Sequence, residues 1–237
     1  MFECQNQIEL SIIIPVFNEE MSILILYTKI EEVLCKLKYR SEIIFIDDGS
    51  TDSSGEILKY LCKLDENVRL FGFNSNRGQH KAIEKGFLEA RGEIIVTLDG
   101  DLQNNPYDIP KLIAKLDEGF DIVCGWRSHR KDPWQKKLKS IIGNYLQRKI
   151  TKIDLHDMSC SMRAYKKAII KNLSFRHKYE VGLLPYIISK YTNKITEVKI
   201  NHHARSYGKS KYDFFQTSLG TILYYLKLII NRSLYNS

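Results

Sequence analysis

The stretch EIIVTLDGDLQNNP, residues 93–106, contains an apolar run that ends at two acidic residues separated by one glycine. An apolar run of this length is typical of a strand that is buried on both faces of a parallel sheet. The two carboxylates at its end, Asp99 and Asp101, repel each other and lose solvation there. The pattern therefore predicts a strand end where a positive partner lies between the two acids. An ordinary surface turn is the alternative.

The same pattern repeats along the first half of the chain. Strand-length apolar runs occur at 10–16, 41–48, 67–73, 92–101 and 120–126. Segments with helical periodicity lie between them, at 18–37 (with Asn18 as the N-cap), 50–64, 78–90 and 105–119. This alternation is typical of an α/β fold with a mainly parallel sheet flanked by helices, and such folds bind ligands at the carboxyl ends of the strands. Polar clusters are expected to meet at that edge, namely Asn18-Glu19, Asp47-Asp48, Asn74 to Asn76, and Asp99 with Asp101.

Charge is distributed unevenly along the chain. Residues 1–120 hold 13 Lys and Arg against 21 Asp and Glu, a formal charge of −8, whereas residues 121–237 hold 23 against 7, a charge of +16. The acidic half suits a cation, and the basic half suits an anion such as a phosphate, a nucleic acid or an anionic membrane surface. No nucleic-acid motif accompanies the basic residues, and they do not interleave with aromatic residues as a stacking platform would, so we expect no nucleic-acid partner.

The remaining composition narrows the class of protein. Five scattered cysteines without a CxxC pair favour a reduced, cytosolic compartment and argue against a structural zinc site. No GxGxxG sequence and no P-loop lysine motif is present, so a dinucleotide-binding Rossmann domain and a P-loop nucleotidase lack their main support. No internal repeat or Pro/Gly/Ser-rich linker divides the chain, which favours one main domain.

The acidic strand ends carry the chemistry that the sequence predicts. Asp99 and Asp101 offer oxygen ligands for a hard divalent cation, Mg²⁺ or Mn²⁺, and Gly100 would let the backbone turn so that both carboxylates address one point. Asp47 ends the second strand and suits hydrogen bonding to a nucleobase or ribose, and Asp48 follows it directly. The adjacent Ser50, Thr51 and Asp52 are ordinary helix-capping residues.

Several segments in this order resemble glycosyltransferase family 2, with the GT-A fold. They are SIIIPVFNEE, EIIFIDDGSTD, NSNRGQHKAIEKGF and EIIVTLDGDLQNNPYDIPKLI. Three later segments, DIVCGWRSHRKD, LHDMSCSMRAYKKAI and HHARSYGKSKYDFF, resemble the polyprenyl-phosphate glycosyltransferases, a group that includes dolichyl-phosphate mannose synthase and the undecaprenyl-phosphate aminoarabinose transferases. GQHKAI and DLQNNP are most similar to the aminoarabinose branch. The resemblance covers roughly residues 9–216.

The resemblance implies roles for the residues at matching positions. The nucleotide would be bound by Pro15, Phe17, Glu19, Asp47 and Asp99. The metal ion would be held by Asp99, Asp101 and Gln103. The acceptor phosphate would be surrounded by Arg127, Arg163, Arg205 and Lys209. The catalytic acids would be Asp101 and Asp157, the latter near the acceptor.

The implied reaction is a metal-dependent, inverting transfer of a sugar from a nucleotide sugar, UDP-linked rather than GDP-linked, to a polyprenyl phosphate. A phosphate oxygen is already anionic and needs a cationic seat rather than a strong base, which accounts for the basic second half. One alternative is a cytosolic family 2 transferase that acts on a sugar hydroxyl in capsule, cell-wall or protein-linked glycan synthesis, with Asp157 as its base. Another is a non-catalytic, basic adaptor at the membrane surface.

The C-terminal part is expected to differ from the catalytic domain. We predict a catalytic domain over 1–212 and an amphipathic, membrane-interfacial segment over 213–237. Its apolar stretch LGTILYYLKLII has 12 residues and includes Lys227, so it is too short to span a bilayer. The segment could lie in the interface or pack between the subunits of a homo-oligomer. A basic helix at 133–151 could also meet a membrane surface. The expected location is cytoplasmic, peripheral at the inner face of the cell membrane.

Overall fold

The computed structural model describes residues 7–128, 148, 151–171, 173, 175, 177, 180–205 and 207. The predicted segment 213–237 and nearly all of the predicted helix at 133–151 lie outside these residues. The strands are β1 Leu10–Val16, β2 Ser41–Asp47, β3 Val68–Gly72, β4 Ile94–Thr97, β5 Ile122–Trp126, β6 Arg163–Lys166 and β7 Ile195–Lys199. The helices are α1 Ile23–Leu34, α2 Ser54–Leu64, α3 Gln79–Glu89, α4 Ile109–Asp117, α5 Lys167–Ile170 and α6 Leu184–Ile188, with a 3₁₀ turn at Pro106–Asp108.

All of these strands join one sheet in the order β3-β2-β1-β4-β6-β5-β7. The first four strands pair in parallel, and β5 pairs in parallel with β7. The short strand β6 is inserted antiparallel between β4 and β5, so that Arg163 lies opposite Thr97 on one side and Cys124 on the other. The predicted mainly parallel sheet is therefore present, with one antiparallel strand that the sequence reading did not identify.

Alternate residues of the central strands pack into two separate cores. Ile12 and Ile14 of β1 face the side that is covered by α1, α2 and α4, and Ile13 faces the side that is covered by α3 and α6. All three isoleucines are fully buried. Because both faces of β1 are covered, the strand is apolar almost throughout, as expected for a central strand of a parallel sheet.

The first helix begins later than its sequence pattern predicts. Helix α1 starts at Ile23 with Ser22 before it, so the prediction that Asn18 is its N-cap is wrong. Asn18 has a left-handed backbone (φ 54°). Its side-chain Oδ1 accepts a hydrogen bond from the backbone N–H of Thr51 at 2.7 Å, and its own N–H donates to Ser50 Oγ at 3.0 Å. Asn18 therefore ties the end of β1 to the turn after β2, and leaves residues 17–22 as a loop at the carboxyl edge of the sheet.

None of the helices built from the described residues combines the length and the apolar character that a bilayer crossing requires.

Candidate functional site

The loops that follow β1, β2 and β4 meet at one edge of the sheet, as the strand-end pattern predicts. Asp99 and Asp101 follow β4, Glu19 follows β1, and Asp47 is the last residue of β2. Gly100 packs closely against the end of β1, since a Cβ added there would lie 3.3 Å from the carbonyl oxygen of Pro15 and 3.7 Å from Glu19 Cγ. The edge therefore brings together acids that are far apart in the sequence.

Both oxygens of the Asp99 carboxylate accept hydrogen bonds from other segments. Gln79 Nε2, in the first turn of α3, donates to Asp99 Oδ1 at 2.7 Å, and Ser161 Oγ, just before β6, donates to Oδ2 at 2.5 Å. Burial raises the pKa of Asp99, and the Ser161 hydrogen bond and the Arg127 guanidinium offset only part of that rise. Asp99 is therefore a carboxylate with a fixed orientation in a site where its charge is poorly solvated.

Asp101 lies in a similar position with fewer contacts. Its Oδ1 accepts a hydrogen bond from the backbone N–H of Gln103 at 3.1 Å, and its Oδ2 lies 4.0 Å from Arg205 Nη2. Burial and the neighbouring charge of Asp99 raise the pKa of Asp101 to about 6. Two adjacent buried carboxylates are hard to ionise, because their negative charges repel each other and are poorly solvated. A bound cation would offset this repulsion.

The donor atoms at this edge fit a hard divalent ion. Carboxylate oxygens are the ligands that Mg²⁺ and Mn²⁺ prefer, and Mg²⁺ commonly binds through one or two carboxylates together with phosphate oxygens and water. No cluster of three or more His, Cys, Asp and Glu suited to a metal ion occurs among the described residues. Asp99 and Asp101 would therefore hold the ion jointly with oxygens from a phosphate ligand. The backbone N–H of Gln103 donates to Asp101 at this edge.

The turn after the two acids has an unusual backbone. Leu102 is 8% exposed and has φ 62°, a left-handed conformation that is unfavourable for a residue with a Cβ. Gly100 lies in this turn without a positive φ, so the turn does not use the left-handed conformation that glycine allows. The absence of a Cβ at Gly100 permits close packing against β1, and the left-handed backbone of the turn occurs at Leu102.

Arg205 reaches across the site from the segment after β7. Its guanidinium forms an ion pair with Glu19 in the β1–α1 loop and approaches Asp101. The sequence places Arg205 at the acceptor phosphate, whereas its contacts lie among the acids predicted to bind the nucleotide and the metal. The long loop between β7 and Arg205 is held in place because the backbone N–H of His203 donates to the carbonyl of Gln103 at 2.8 Å.

Arg127 and Asp157 form a bidentate ion pair beside these acids. Arg127 Nε donates to Asp157 Oδ2 at 2.6 Å and Nη2 donates to Oδ1 at 2.9 Å. Burial lowers the pKa of Arg127, but the charge and hydrogen bonds of Asp157 more than offset that effect and raise it. The residues that precede Arg127 and Asp157 in the chain also contact each other. The rings of Trp126 and His156 are stacked, with their centroids 4.1 Å apart. Asp157 itself is 2% exposed.

Arg163, also predicted at the acceptor phosphate, does not join this group. Arg163 is 1% exposed, and its guanidinium donates to the backbone carbonyls of Val181 at 2.9 Å and Met158 at 2.7 Å. Its position in the interior corrects the expectation that Arg163 contacts an acceptor phosphate, since a phosphate could reach it only by breaking these contacts. Lys209 lies outside the described residues.

The second strand end is built from tightly packed turns. Asp47 Oδ1 accepts from the backbone N–H of Ser50 at 2.9 Å, and the side chain remains half-buried at the edge, near the half-buried Pro15 and Phe17 of the neighbouring strand end. Asp48 is buried and accepts from the backbone N–H groups of Arg77 at 2.7 Å and Gly78 at 2.9 Å. Burial raises the pKa of Asp48, and these hydrogen bonds offset part of the rise. Asp48 therefore holds the loop before α3.

Two residues of the site were missed in the sequence. Gln79 and Ser161 contact Asp99 but lie 20 and 62 positions away from it in the chain. Gln79 occurs in the GQHKAI segment that contributes to the family resemblance, so that segment was the available signal. Ser161 likewise occurs in the LHDMSCSMRAYKKAI segment of the resemblance, but its contact with Asp99 depends on the antiparallel β6, which follows it and pairs with β4.

Comparisons with known proteins agree with this arrangement. The sequence model of glycosyl transferase family 2 matches residues 11–174. Dodecaprenyl-phosphate galacturonate synthase of Rhizobium johnstonii is 36% identical over 218 residues, which covers 90% of this chain and 64% of that protein. Undecaprenyl-phosphate 4-deoxy-4-formamido-L-arabinose transferase of Proteus mirabilis is 36% identical over 216 residues, covering 91% and 65%. The chain thus spans slightly less than two thirds of the length of these relatives.

Solved structures support the fold. Glucosyl-3-phosphoglycerate synthase from Mycobacterium tuberculosis, crystallised with Mn²⁺, UDP-glucose and phosphoglyceric acid, superimposes with a TM-score of 0.72 at 19% identity. The match covers 94% of this chain and 80% of that one. The predicted mainly parallel α/β fold of GT-A type is confirmed. Since the family match extends over more than half of the sequence, the chain belongs to glycosyl transferase family 2, and the prediction of a glycosyltransferase of this family is confirmed.

Proposed function

We propose that this protein transfers a sugar from a nucleotide sugar, UDP-linked rather than GDP-linked, to a polyprenyl phosphate at the cytoplasmic face of a membrane. The names of its relatives support a polyprenyl phosphate acceptor. The structural observation that supports the proposal is the burial and hydrogen bonding of the Asp157 side chain. A hydroxyl acceptor would need Asp157 as a base, whereas a phosphate acceptor would not.

On the acceptor side, Asp157 is poorly suited to remove a proton. A general base must have a free lone pair directed at the acceptor, but each oxygen of the buried Asp157 carboxylate already accepts two hydrogen bonds. Oδ1 accepts from Arg127 Nη2 and Ser159 Oγ, and Oδ2 accepts from Arg127 Nε and the backbone N–H of Arg127. A sugar hydroxyl would require such a base, whereas a phosphate monoester would not. Arg127 remains able to bind a phosphate through its outer N–H groups, in the bidentate manner that suits guanidinium.

On the donor side, Asp99 and Asp101 would hold a divalent ion on the diphosphate, with Arg205 beside them. A metal bound there would neutralise the charge that develops on the departing nucleoside diphosphate. The contact of Arg205 with Glu19 and Asp101 supports a role at the diphosphate rather than at the acceptor. Asp47, Pro15 and Phe17 line the strand ends where the base and ribose would bind.

The proposed reaction geometry follows from the positions of these residues. The donor sugar would lie between the acids that follow β4 and the Arg127–Asp157 pair. An oxygen of the acceptor phosphate attacks the anomeric carbon as the bond to the nucleoside diphosphate breaks, which inverts that carbon. Arg127 also lowers the pKa of Asp99, although burial keeps that pKa raised, so the charge of Arg127 acts on that carboxylate. This proximity supports a compact site in which one guanidinium lies between the two phosphates.

The direct test is release of UDP from a panel of UDP-sugars with Mn²⁺, in the presence and absence of undecaprenyl phosphate. The panel comprises UDP-glucose, UDP-galacturonate and UDP-4-deoxy-4-formamido-L-arabinose, with GDP-mannose as the alternative donor class. Strong stimulation by the lipid phosphate, with formation of the glycosylated lipid, is the expected result. Nucleotide binding without any effect of the lipid would overturn the assigned acceptor and leave the family assignment intact.

A substitution at Asp157 separates the two acceptor classes. In Asp157→Asn, a base would be lost, and a hydroxyl-directed enzyme would lose about 10²- to 10⁴-fold in kcat together with a limb of its pH–rate profile. In the proposed phosphate-directed enzyme, the change alters how Arg127 is held. The expected result is a higher KM for undecaprenyl phosphate with kcat reduced less than tenfold and the shape of the pH–rate profile unchanged. Loss of the alkaline-rising limb with unchanged KM would favour the hydroxyl acceptor.

A further inference from the structure

The orientation of Asp99 is fixed by two donors that the proposed reaction does not otherwise use. Gln79 approaches one carboxylate oxygen from α3, and Ser161 approaches the other from the segment before β6, at 2.7 and 2.5 Å. A carboxylate has two oxygens with about four lone-pair positions in total. Among the described residues, each oxygen of Asp99 accepts one protein hydrogen bond, which leaves a second lone-pair position on each for a ligand.

The hydroxyl of Ser161 is itself held in a defined direction. Asn104 Nδ2 donates to Ser161 Oγ at 3.0 Å, and Asn104 is buried. Because a serine hydroxyl has one hydrogen, and its oxygen already accepts from Asn104, that hydrogen is available for Asp99. The backbone is fixed as well, since Thr97 Oγ1 donates to the carbonyl of Ser161 at 2.6 Å. Ser161 is therefore anchored to both ends of the turn that carries the two acids.

Gln79 is anchored by its place in the fold. It is the first residue of α3, and the preceding Gly78 has φ 89° and donates its N–H to buried Asp48. Asp48 thus fixes the start of α3, and the start of α3 aims the Gln79 amide at Asp99. Asp99 is held between two separate parts of the sheet, one on the β2–β3 side and one on the β6 side.

We propose that Ser161 and Gln79 are positioning residues that orient the Asp99 carboxylate toward the divalent ion and diphosphate, an inference that rests on the proposed function. Neither residue needs to contact substrate or metal. With both donors in place, rotation of the carboxylate about its Cβ–Cγ bond would break a hydrogen bond on either oxygen. Loss of comparable outer contacts at metal sites typically weakens metal binding by about 10- to 100-fold.

The experiment compares Mn²⁺ binding to the wild-type protein and to Ser161→Ala and Gln79→Ala. The affinity for Mn²⁺ is measured by electron paramagnetic resonance with saturating UDP and again without nucleotide, and the melting temperature is recorded for each protein. Ser161→Thr keeps the hydroxyl and tests rescue. Ser189→Ala is the matched control, because it removes a partly buried hydroxyl that donates to the Tyr186 carbonyl, on α6.

The expected result is a rise of about 10-fold or more in the Mn²⁺ dissociation constant for both alanine variants, at melting temperatures close to that of the wild type. Ser161→Thr is expected to bind more tightly than Ser161→Ala, and Ser189→Ala to match the wild type. Unchanged Mn²⁺ affinity in both alanine variants would overturn the inference. If Ser161→Ala fails to fold, Gln79→Ala decides the matter alone. Failure of the wild-type protein itself to bind Mn²⁺ with UDP would instead refute the proposed function.

Discussion

At the scale of single residues, the proposed metal ligand Asp101 lowers the stability of the folded protein near neutral pH. Its pKa of about 6 lies above the ordinary value of 3.8, because the carboxylate is buried and adjoins Asp99. The folded protein therefore binds this proton more tightly than the unfolded chain does. As pH rises from about 4 to about 6, the unfolded chain loses the proton first, so the folded state loses stability over this window. Above about pH 6 the loss amounts to roughly 2 to 3 kcal/mol.

The substitution Asp101→Asn removes this titration. Without metal at pH 7, we expect the variant to be more stable than the wild type, with a melting temperature higher by about 5 °C. The stability advantage should shrink as pH falls from about 6 toward 4, because the folded-state carboxyl is then protonated and the unfolded-state carboxyl becomes partly protonated as well. The same variant should lose Mn²⁺-dependent UDP binding, because one ligand is gone. Differential scanning calorimetry across pH 4 to 7, in parallel with calorimetric titration of UDP, checks both effects.

The control for this prediction is Glu66→Gln, which neutralises an exposed acid in the turn before β3. It should leave the pH dependence and the UDP affinity as in the wild type. A melting temperature for Asp101→Asn that equals or falls below the wild-type value at pH 7 would contradict the assigned pKa shift.

Two single residues show that hydrogen-bond partners cannot be predicted from the sequence alone. The type of Asn18 predicts a helix cap, and the position of Arg163 in the family resemblance predicts a phosphate ligand. Asn18 instead accepts a hydrogen bond from Thr51, and Arg163 donates to two backbone carbonyls in the interior. The type of a polar residue states which bonds it can make. Its partners depend on which distant segment lies within 3 Å, and that is not encoded in local spacing.

At the scale of elements, the loop after β2 is shaped by a glycine in a confined space. Gly49 has φ 74°, and a Cβ added there would lie 2.5 Å from the backbone carbon of Ser75. The two polar clusters that the sequence places at neighbouring strand ends are therefore in direct backbone contact. This contact holds Asp47 and Asp48 in place at the edge of the site.

The substitution Gly49→Ala should destabilise the protein through both strain and overlap. Gly119→Ala is the matched control, because Gly119 has φ 103° but open space around its Cβ position. Gly119→Ala should cost about 1 kcal/mol from the left-handed backbone alone. Gly49→Ala should cost at least about 1 kcal/mol more and should also weaken UDP binding. Urea unfolding gives the two free energies, and equal values for the two variants would contradict the predicted overlap.

Strand β6 is the element that the sequence pattern did not predict. Its residues Arg163–Lys166 form a strand of four residues with two basic members, a pattern that carries little periodicity. The strand forms because both of its neighbours, β4 and β5, offer unpaired edges. Without β6, Ser161 would not lie beside Asp99, and Asp157 would not reach Arg127.

At the scale of the whole molecule, ligand binding should stabilise the fold as a unit. We expect UDP with Mn²⁺ at about 100 times its dissociation constant to add roughly 2.7 kcal/mol to the free energy of unfolding. For a chain of this size, that corresponds to a rise in melting temperature of about 5 to 10 °C. Thermal scans with UDP and Mn²⁺, with UDP alone and with Mn²⁺ alone test this expectation. A basic membrane-surface adaptor would show no protection in any of the three.

The charge asymmetry predicts how the whole protein meets a membrane. Residues 121–237 carry a formal charge of +16, so we expect binding to vesicles that contain anionic lipid and none to vesicles of neutral phosphatidylcholine. Electrostatic attraction is screened by salt, so binding should fall steeply between 50 and 500 mM NaCl. Cosedimentation provides the measurement. Binding that is insensitive to salt and to lipid charge would contradict an electrostatic contact.

The sequence by itself determined the fold class, the first five strands with the helices between them, and the acidic carboxyl edge. These follow from local patterns, since apolar runs and helical periodicity are properties of neighbouring residues. The family membership followed in the same way, from motifs read in order. Only the tertiary structure decided which charges are paired and which are left for a ligand. Arg127 pairs with Asp157, 30 residues away in the sequence, and Arg205 pairs with Glu19, 186 residues away. Ser161 donates a hydrogen bond to Asp99, which is 62 residues away. Such contacts depend on strand order, which brings segments that are distant in the sequence to the same edge of the sheet.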